Sequence, residues 1–248
     1  MEVSVPGSHL KFMSHAAPFK WKHFQDDIIL LNVRWYCRYG LSYRNLEEMM
    51  AERGLGVDHS TIHRWVLQYA PELDKRCRRH LRPTGDSWKV DETYIKVKGQ
   101  WKYLYRAVDE SGQTLDFMLS AKRDAKAAKR FFRKVLKGEH TQTPQVINVD
   151  QNPAYPKAVK QLKEEQQFPQ TTQLRPVRYL NNRVEQNHRR IKRLVKPGLG
   201  FGSFNTARRT LKGYEAMSMI GKGQICGVGK KDVMGQLSFI HYIFGVAS

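Results

Sequence analysis

"SWKVDETYIKVKGQWKYLYRAVDESGQTLDFMLSA", residues 87–121, is the stretch whose reading decides the fold. Val, Ile, Tyr, Trp and Leu recur through it in runs of strand length, and the runs break at "KGQ" and "DESGQ", where glycine lets the chain reverse. The pattern predicts three strands in an antiparallel meander. Asp91 falls near the middle of the first strand, an acidic residue inside a segment built to be half-buried.

Downstream the period lengthens. Residues 124–137 read as a helix with Ala125, Ala128, Phe132 and Val135 inward, and with Lys122, Lys126, Lys129, Arg133 and Lys137 as a solvated basic stripe. "PQVINVD" supplies a short apolar strand over 145–149 that ends on Asp150, and "NPAYPKAVKQLKEEQ" turns through two prolines into another helix. A brief strand over 172–175 and a helix carrying Glu185 follow. Three strands, helix, strand, helix, strand, helix is the element order of an α/β mixed sheet with helices on its faces.

Upstream the chain is all-α. From Phe24 to Tyr39, Ile28, Leu31, Trp35 and Tyr39 recur at helical spacing. Ser42 opens a second helix with Leu46, Met49 and Met50 as its inner face and "RGLG" as its stop. In "VDHSTIHRWVLQYAPEL", Asp58 is a good N-cap, Ile62, Trp65, Val66 and Tyr69 form one face, and Pro71 is expected beyond the helix end. Helix, glycine-containing turn, helix is the pattern of a helix-turn-helix, which would turn Ser60, Thr61, His63 and Arg64 toward base edges. An ordinary three-helix packing unit is the alternative. The following "KRCRRHLR", residues 75–82, favours DNA, with Lys75, Arg76, Arg78 and Arg79 tracking phosphates.

These readings divide the chain into a flexible lead-in (1–17), a helix-turn-helix domain (18–83), a catalytic domain (84–203) and a C-terminal helical segment packing on the catalytic domain (204–248). Lys and Arg number 43 against 23 Asp and Glu, a formal charge of +20, which points to a polyanionic partner and first to nucleic acid. Three dispersed cysteines exclude a disulfide framework and a zinc knuckle, and fit a reducing compartment. The longest apolar run, "IILL", is far short of the ~20 residues of a membrane span, so no membrane partner is expected.

In such a basic chain the acids need explaining. "NNRVEQNHRRIKRLVKPG", residues 181–198, sets Glu185 among Arg183, Arg189, Arg190, Lys192, Arg193 and Lys196. The bland reading pairs Glu185 with Arg189 on a solvated face, worth a few tenths of a kcal/mol. In the sharper one Glu185 joins Asp91 and Asp150 in holding a divalent metal, while Arg189, Lys192 and Arg193 grip phosphates. Carboxylates near 4 Å apart repel by about 4 kcal/mol per pair at an effective dielectric of 20, so the cluster calls for a cation, and oxygen-only ligands select Mg²⁺ or Mn²⁺. Because adjacent strand residues point to opposite faces, only one of Asp91 and Glu92 is expected to belong. Asp109, Asp116 and Asp124 read as structural, and "GLGFG", residues 198–202, as a hinge before the last long helix.

Asp91 in "WKVDETYIKVKGQWKYLYRAVD", Asp150 in "NVDQNPAYPKAV" and Glu185 in "NNRVEQNHRRIKRLVKPGLGFGSF" resemble the DDE transposases of the bacterial insertion sequence six family. Asp150 and Glu185 enclose 34 residues, and Lys192 stands seventh after Glu185, as that family's pattern has it. The resemblance extends over nearly the whole chain. It implies an RNase H-like catalytic domain, preceded by a helix-turn-helix that binds the element's terminal inverted repeats. It also implies replicative transposition through cointegrates, with Asp91, Asp150 and Glu185 as catalytic metal ligands, Mg²⁺ as cofactor and Mn²⁺ as substitute. The partners expected are double-stranded DNA, as terminal repeats and as target, and further copies of the chain, at least a dimer. The expected place is the bacterial cytoplasm, in association with the nucleoid. Gly221 departs from the pattern, standing where the family usually has a basic residue before the lysine; that bears on a C-terminal contact and leaves the three carboxylates untouched. A DNA-binding repressor descended from a transposase and an RNase H-type nuclease are the alternative functions.

Overall fold

A computed structural model describes Phe19 and residues 23–177 and 182–246, with the side chains of residues 182–187 outside the described set; the expected lead-in over 1–17 also lies outside it. The meander forms as expected: β1 (Ser87–Val97), β2 (Gln100–Asp109) and β3 (Thr114–Ser120) pair antiparallel. β4 (Val146–Val149) and β5 (Gln173–Pro176) add in parallel on the other side of β1, giving the order β3-β2-β1-β4-β5. That mixed sheet, with helical crossovers between its parallel strands, is the RNase H-like arrangement.

Alternation along the strands creates two apolar faces. Trp88, Val90, Tyr105 and Ala107 face α4 (Ala125–Leu136) and α5 (Ala154–Glu164), whose Phe131, Phe132, Tyr155 and Leu162 complete one core. Ile95, Val97, Leu104, Phe117 and Leu119 belong to a second core, which they share with the helices from both ends of the chain. The N-terminal helices and the sheet are therefore joined by buried apolar side chains rather than by a linker alone.

The N-terminal helices are α1 (Asp26–Arg38), α2 (Tyr43–Ala51) and α3 (His59–Cys77). Both expected caps form. Ser42 Oγ accepts the Asn45 N–H while Asn45 Oδ1 accepts the Ser42 N–H, and Asp58 Oδ1 accepts the Ser60 N–H. The face of α1 differs from the expectation: Ile29, Leu30, Val33, Tyr36 and Cys37 are buried, Ile28, Leu31 and Trp35 only flank the core, and Tyr39 is exposed. α1 is apolar over more than half its circumference, and packing against α3 and α7 together selects the side that goes in.

Pro71 lies inside α3, not beyond it. A proline there cannot donate to the carbonyl four residues back. Arg209 Nε donates to that carbonyl, Leu67 O, at 2.7 Å, so the orphaned acceptor is satisfied from another helix.

Arg209 belongs to α7 (Phe204–Gly221), which is followed by α8 (Val233–Phe244). α7 lies chiefly on α3 and α1. The approach is close at Gly213, where a Cβ would come within 2.5 Å of Cys37 Sγ and 2.7 Å of Ala70 Cβ. α7 also reaches the sheet through a fully buried ion pair, Arg106 Nη2 to Glu215 Oε2 at 2.7 Å. α7 thus lies between the helical unit and the sheet, while α8 rests on α3. At Gly221 the Arg38 guanidinium of α1 fills the space that a side chain would take.

The "GLGFG" stretch is latched, which corrects its reading as a hinge. Phe201 N donates to Lys96 O at 3.0 Å and Lys98 N to Phe201 O at 2.8 Å, fastening it to β1. Gly200, at φ 107°, passes so close that a Cβ would lie 2.7 Å from Lys96 O. Among the described residues no helix is long and apolar enough to cross a membrane.

Candidate active site

β1 and β4 position the two aspartates. Ser87, Trp88 and Lys89 lie opposite Val146, Ile147 and Asn148, and the same register carried two residues further sets Asp91 beside Asp150. In a parallel pair, such neighbours point to the same side. β4 stops at Val149, so Asp150 stands at the open end of the strand, where no ladder partner covers it.

One carboxylate oxygen from each of Asp91, Glu92 and Asp150 lies within 4.8 Å of the others. Glu92 thus stands closer to the two aspartates than strand alternation alone would bring it. Alternation does send the two Cβ atoms to opposite faces, but it does not fix where the carboxylates end. Asp91 Oδ1 turns back along the strand to accept the Glu92 N–H at 2.9 Å, and the longer Glu92 reaches round the same open edge.

Glu92 is buried and held by three donors: Tyr155 OH, Arg123 Nε and Asn152 Nδ2, the last at 3.2 Å. Burial first, and then the Glu92 carboxylate, push the Tyr155 phenol well above its usual range, so it stays a donor. Arg123 links the acids, its Nη2 donating to Asp150 Oδ2 at 2.9 Å. Burial alone would lower the Arg123 guanidinium; Glu92 and Asp150 outweigh it and raise it. Asp150 Oδ1 accepts the Asn152 N–H at 3.1 Å, which shapes the turn into α5.

The third side of the site is α6 (Asn182–Val195), which crosses β1 and β2. His188 is buried there with Nδ1 3.8 Å from Asp91 Oδ2. Burial, with Arg106 and Lys192 nearby, drops its pKa to about 3, so the imidazole is neutral and the contact is not an ion pair at neutral pH. The Glu185 side chain lies outside the described residues; its backbone position is one helical turn before His188.

The donor set fits a divalent cation. At 4.8 Å two carboxylates repel by about 3 kcal/mol at an effective dielectric of 20, and the cluster already draws in a guanidinium to offset this. All its acidic donors are oxygens, the ligand type of Mg²⁺ and Mn²⁺.

The residues expected to touch DNA are sorted by their neighbours. Ser60 and Arg64 at the start of α3 are exposed, Thr61 is half-buried and accepts from Arg64 Nη2 at 2.8 Å, and His63 is half-buried with its ring edge on Tyr43. Lys75, Arg79, Arg189, Lys192 and Arg193 are exposed. Arg76 and Arg78 require correction. Arg76 donates to Ile243 O at 2.8 Å, pairs with Glu72 and covers the Phe244 ring. Arg78 pairs with Asp74 at 2.9 Å and Asp116 at 2.8 Å, both buried acids that a phosphate would have to displace. Asp109, Asp116 and Asp124 are structural as expected: Asp109 caps the β2–β3 turn, Asp116 takes Arg78 and Lys134, and Asp124 caps α4.

Sequence reading set Glu92 aside and missed Arg123, Asn152, Tyr155 and His188. His188, three residues after Glu185, could have been found by helical spacing. Arg123 carried no local signal, because its partners come from other strands.

The chain matches a DDE domain family over residues 85–224. It is 41% identical over 204 residues to the transposase for insertion sequence-like element IS431mec of Staphylococcus aureus, a match covering 80% of this chain and 86% of that one. The transposase for insertion sequence element IS257 in transposon Tn4003, also from Staphylococcus aureus, matches to the same extent. Among solved structures, the integrase catalytic core domain of HTLV-2 in its dimeric form aligns with 61% of this chain and 97% of its own, at 15% identity and a TM-score of 0.41. Aspartates side by side on neighbouring strands, a DDE domain across the sheet and four-fifths of the chain shared with insertion-element transposases agree: the chain belongs to the DDE transposases of the insertion sequence six family.

Proposed function

We propose that Asp91, Asp150 and Glu185 jointly hold divalent metal, Mg²⁺ or Mn²⁺, and that the enzyme nicks the 3′ ends of its element and joins them to target DNA. The observation that carries this reading is the meeting of Asp91 and Asp150 oxygens within 4.8 Å across β1 and β4. The position of His188 against Asp91 supports it, since it brings the helix bearing Glu185 to the same place. Ions bound there supply an activated attacking oxygen and stabilise the leaving oxygen of an in-line phosphodiester displacement.

The protein's own residues do the positioning. Arg123, Asn152 and Tyr155 hold Glu92 behind the aspartates and so keep the acidic cluster from spreading. Lys192, exposed one turn after His188, grips a phosphate beside Asp91. The division of labour follows the chain: residues 18–83 read the terminal inverted repeats through Ser60, Thr61, His63 and Arg64, and residues 84–203 carry the chemistry. Lys75, Arg79, Arg189 and Arg193 contact phosphates. Two DNA ends require at least two copies of the chain, and joining without excision of the element leads to cointegrates on nucleoid DNA.

Asp91→Asn tests the reading, since it removes a metal ligand and leaves the reader intact. Cleavage should disappear, by at least about 10³-fold, while repeat binding holds within about twofold. Ca²⁺ should support binding without cleavage. Equal loss of binding and cleavage would contradict the assignment.

A further inference from the structure

A groove of about 1010 Å³ opens along the far half of β1, between the tip of the β1–β2 hairpin and the end of α6. Tyr94, Trp101, Lys96, Lys192, Lys196 and Leu199 line it, and no carboxylate does among the described residues. Trp101 is 62% exposed and Tyr94 46%, although both sit on strands where aromatics are normally buried. Their rings meet edge to face at 6.4 Å, and Tyr94 leans on Tyr103 at 5.4 Å, so the pair is a braced platform rather than two loose side chains. Large aromatics left in solvent on a braced surface mark a binding site.

Charge identifies the occupant. Three lysines, Lys96, Lys192 and Lys196, share the groove with the rings, which suits a ligand that is anionic and has a flat π-face. Another basic surface would be repelled by these lysines. An unpaired nucleotide meets both demands, its base stacking on an aromatic ring and its phosphates lying on lysines. A base within duplex DNA cannot offer its face, so it must leave the stack.

Position relates the groove to the chemistry. Tyr94 is three residues along β1 from Asp91, about 10 Å at ~3.3 Å per residue, and nucleotides in duplex DNA rise by ~3.4 Å. We infer that this groove takes one unstacked base of the DNA end, about three nucleotides from the scissile phosphate, with Trp101 stacking on the base and Lys96 and Lys196 on the flanking phosphates. The inference rests on the proposed role of Asp91 and Asp150 in cleaving such ends.

The test uses the full chain in Ca²⁺ with duplexes carrying the inverted repeat that flanks its coding frame. 2-Aminopurine is placed in turn at each of the first six nucleotides from the cleavage point. Fluorescence should change sharply at one position between the second and fourth. Trp101→Ala should abolish that signal and weaken end binding about tenfold without lowering Tm, while Trp101→Phe restores most of both. If Trp101→Ala does not fold, Tyr94→Ala should reduce the same signal. Metal-dependent cleavage with no position-specific signal overturns the groove assignment alone, whereas absence of metal-dependent cleavage by the unaltered enzyme overturns the reading of Asp91 and Asp150. A signal unchanged in Trp101→Ala, with its oligomers dissociated in sedimentation, would make the groove a self-interface and defeat the proposal.

Discussion

At the C-terminal end of α3, Arg78 stands between the buried acids Asp74 and Asp116; on the outside of α6, Arg189, Lys192 and Arg193 reach solvent with no ion pair among the described residues. Both helices end in dense positive charge. The end of α3 is tied to β3 by the Arg78–Asp116 pair, which Lys134 of α4 joins, whereas Arg189, Lys192 and Arg193 of α6 are exposed. A cation is available to DNA only where the fold has not already supplied it with an acid. The same fold also holds a half-buried lysine by its own neutral oxygens: Lys222 donates to Gly112 O at 2.9 Å and Thr114 Oγ1 at 3.0 Å beside the sheet.

The sharpest way to break this contrast is Arg78→Ala. It leaves Asp74 and Asp116 buried and short of a partner, and the expected loss is about 3 kcal/mol of stability in urea denaturation, with the salt dependence of DNA binding unchanged. A shallower salt slope with unaltered stability would mean that Arg78 contacts phosphate after all. Arg64→Ala, in the proposed reader, comes next: roughly 2 kcal/mol lost on the cognate repeat and little on random DNA. Equal weakening on both DNAs would show that the start of α3 does not read sequence.

Lys222 tests this last case through pH. Burial, and secondly Arg106, bring its pKa down to about 7. Between that value and the ~10.4 of the unfolded chain, only the unfolded state binds the proton, so stability rises with pH by about 1.4 kcal/mol per unit. The full penalty is present below pH 7. Lys222→Met should therefore flatten stability between pH 7 and 8.5 relative to the unaltered chain; parallel curves would show that Lys222 is hydrated. The smallest effect is expected for Lys192→Ala: random and cognate DNA weakened alike, a salt slope shallower by about one unit, and no change in Tm. A steeper loss on the cognate repeat alone would place Lys192 on a base.

Legibility in the sequence followed the range of the interaction. The helix start at Ser42, the Asp58 cap and the three-strand meander were legible because each is satisfied within a few residues or by a single turn. The buried side of α1 was not, because its apolar residues exceed one stripe and the choice among them depends on α7, some 180 positions later. Pro71 read as a stop because the donor that rescues its helix, Arg209, comes 142 positions after the carbonyl it serves. At the site, Asp91 was legible as an acid within a strand and Asp150 as one at a strand end, while Glu92 was set aside by an alternation rule that governs Cβ atoms and not the reach of a carboxylate.

Sequence alone determined the mixed sheet, the order of its elements, the two aspartates and the family, because periodicity, turn residues and motif spacing are properties of neighbouring positions. Only the tertiary structure decided which cations are free, that Arg123 and Tyr155 stand behind the acids, and that Trp101 and Tyr94 remain in solvent. Charge availability, burial and exposure belong to what surrounds a residue in space, and those surroundings are assembled from parts of the chain that carry no mark of each other.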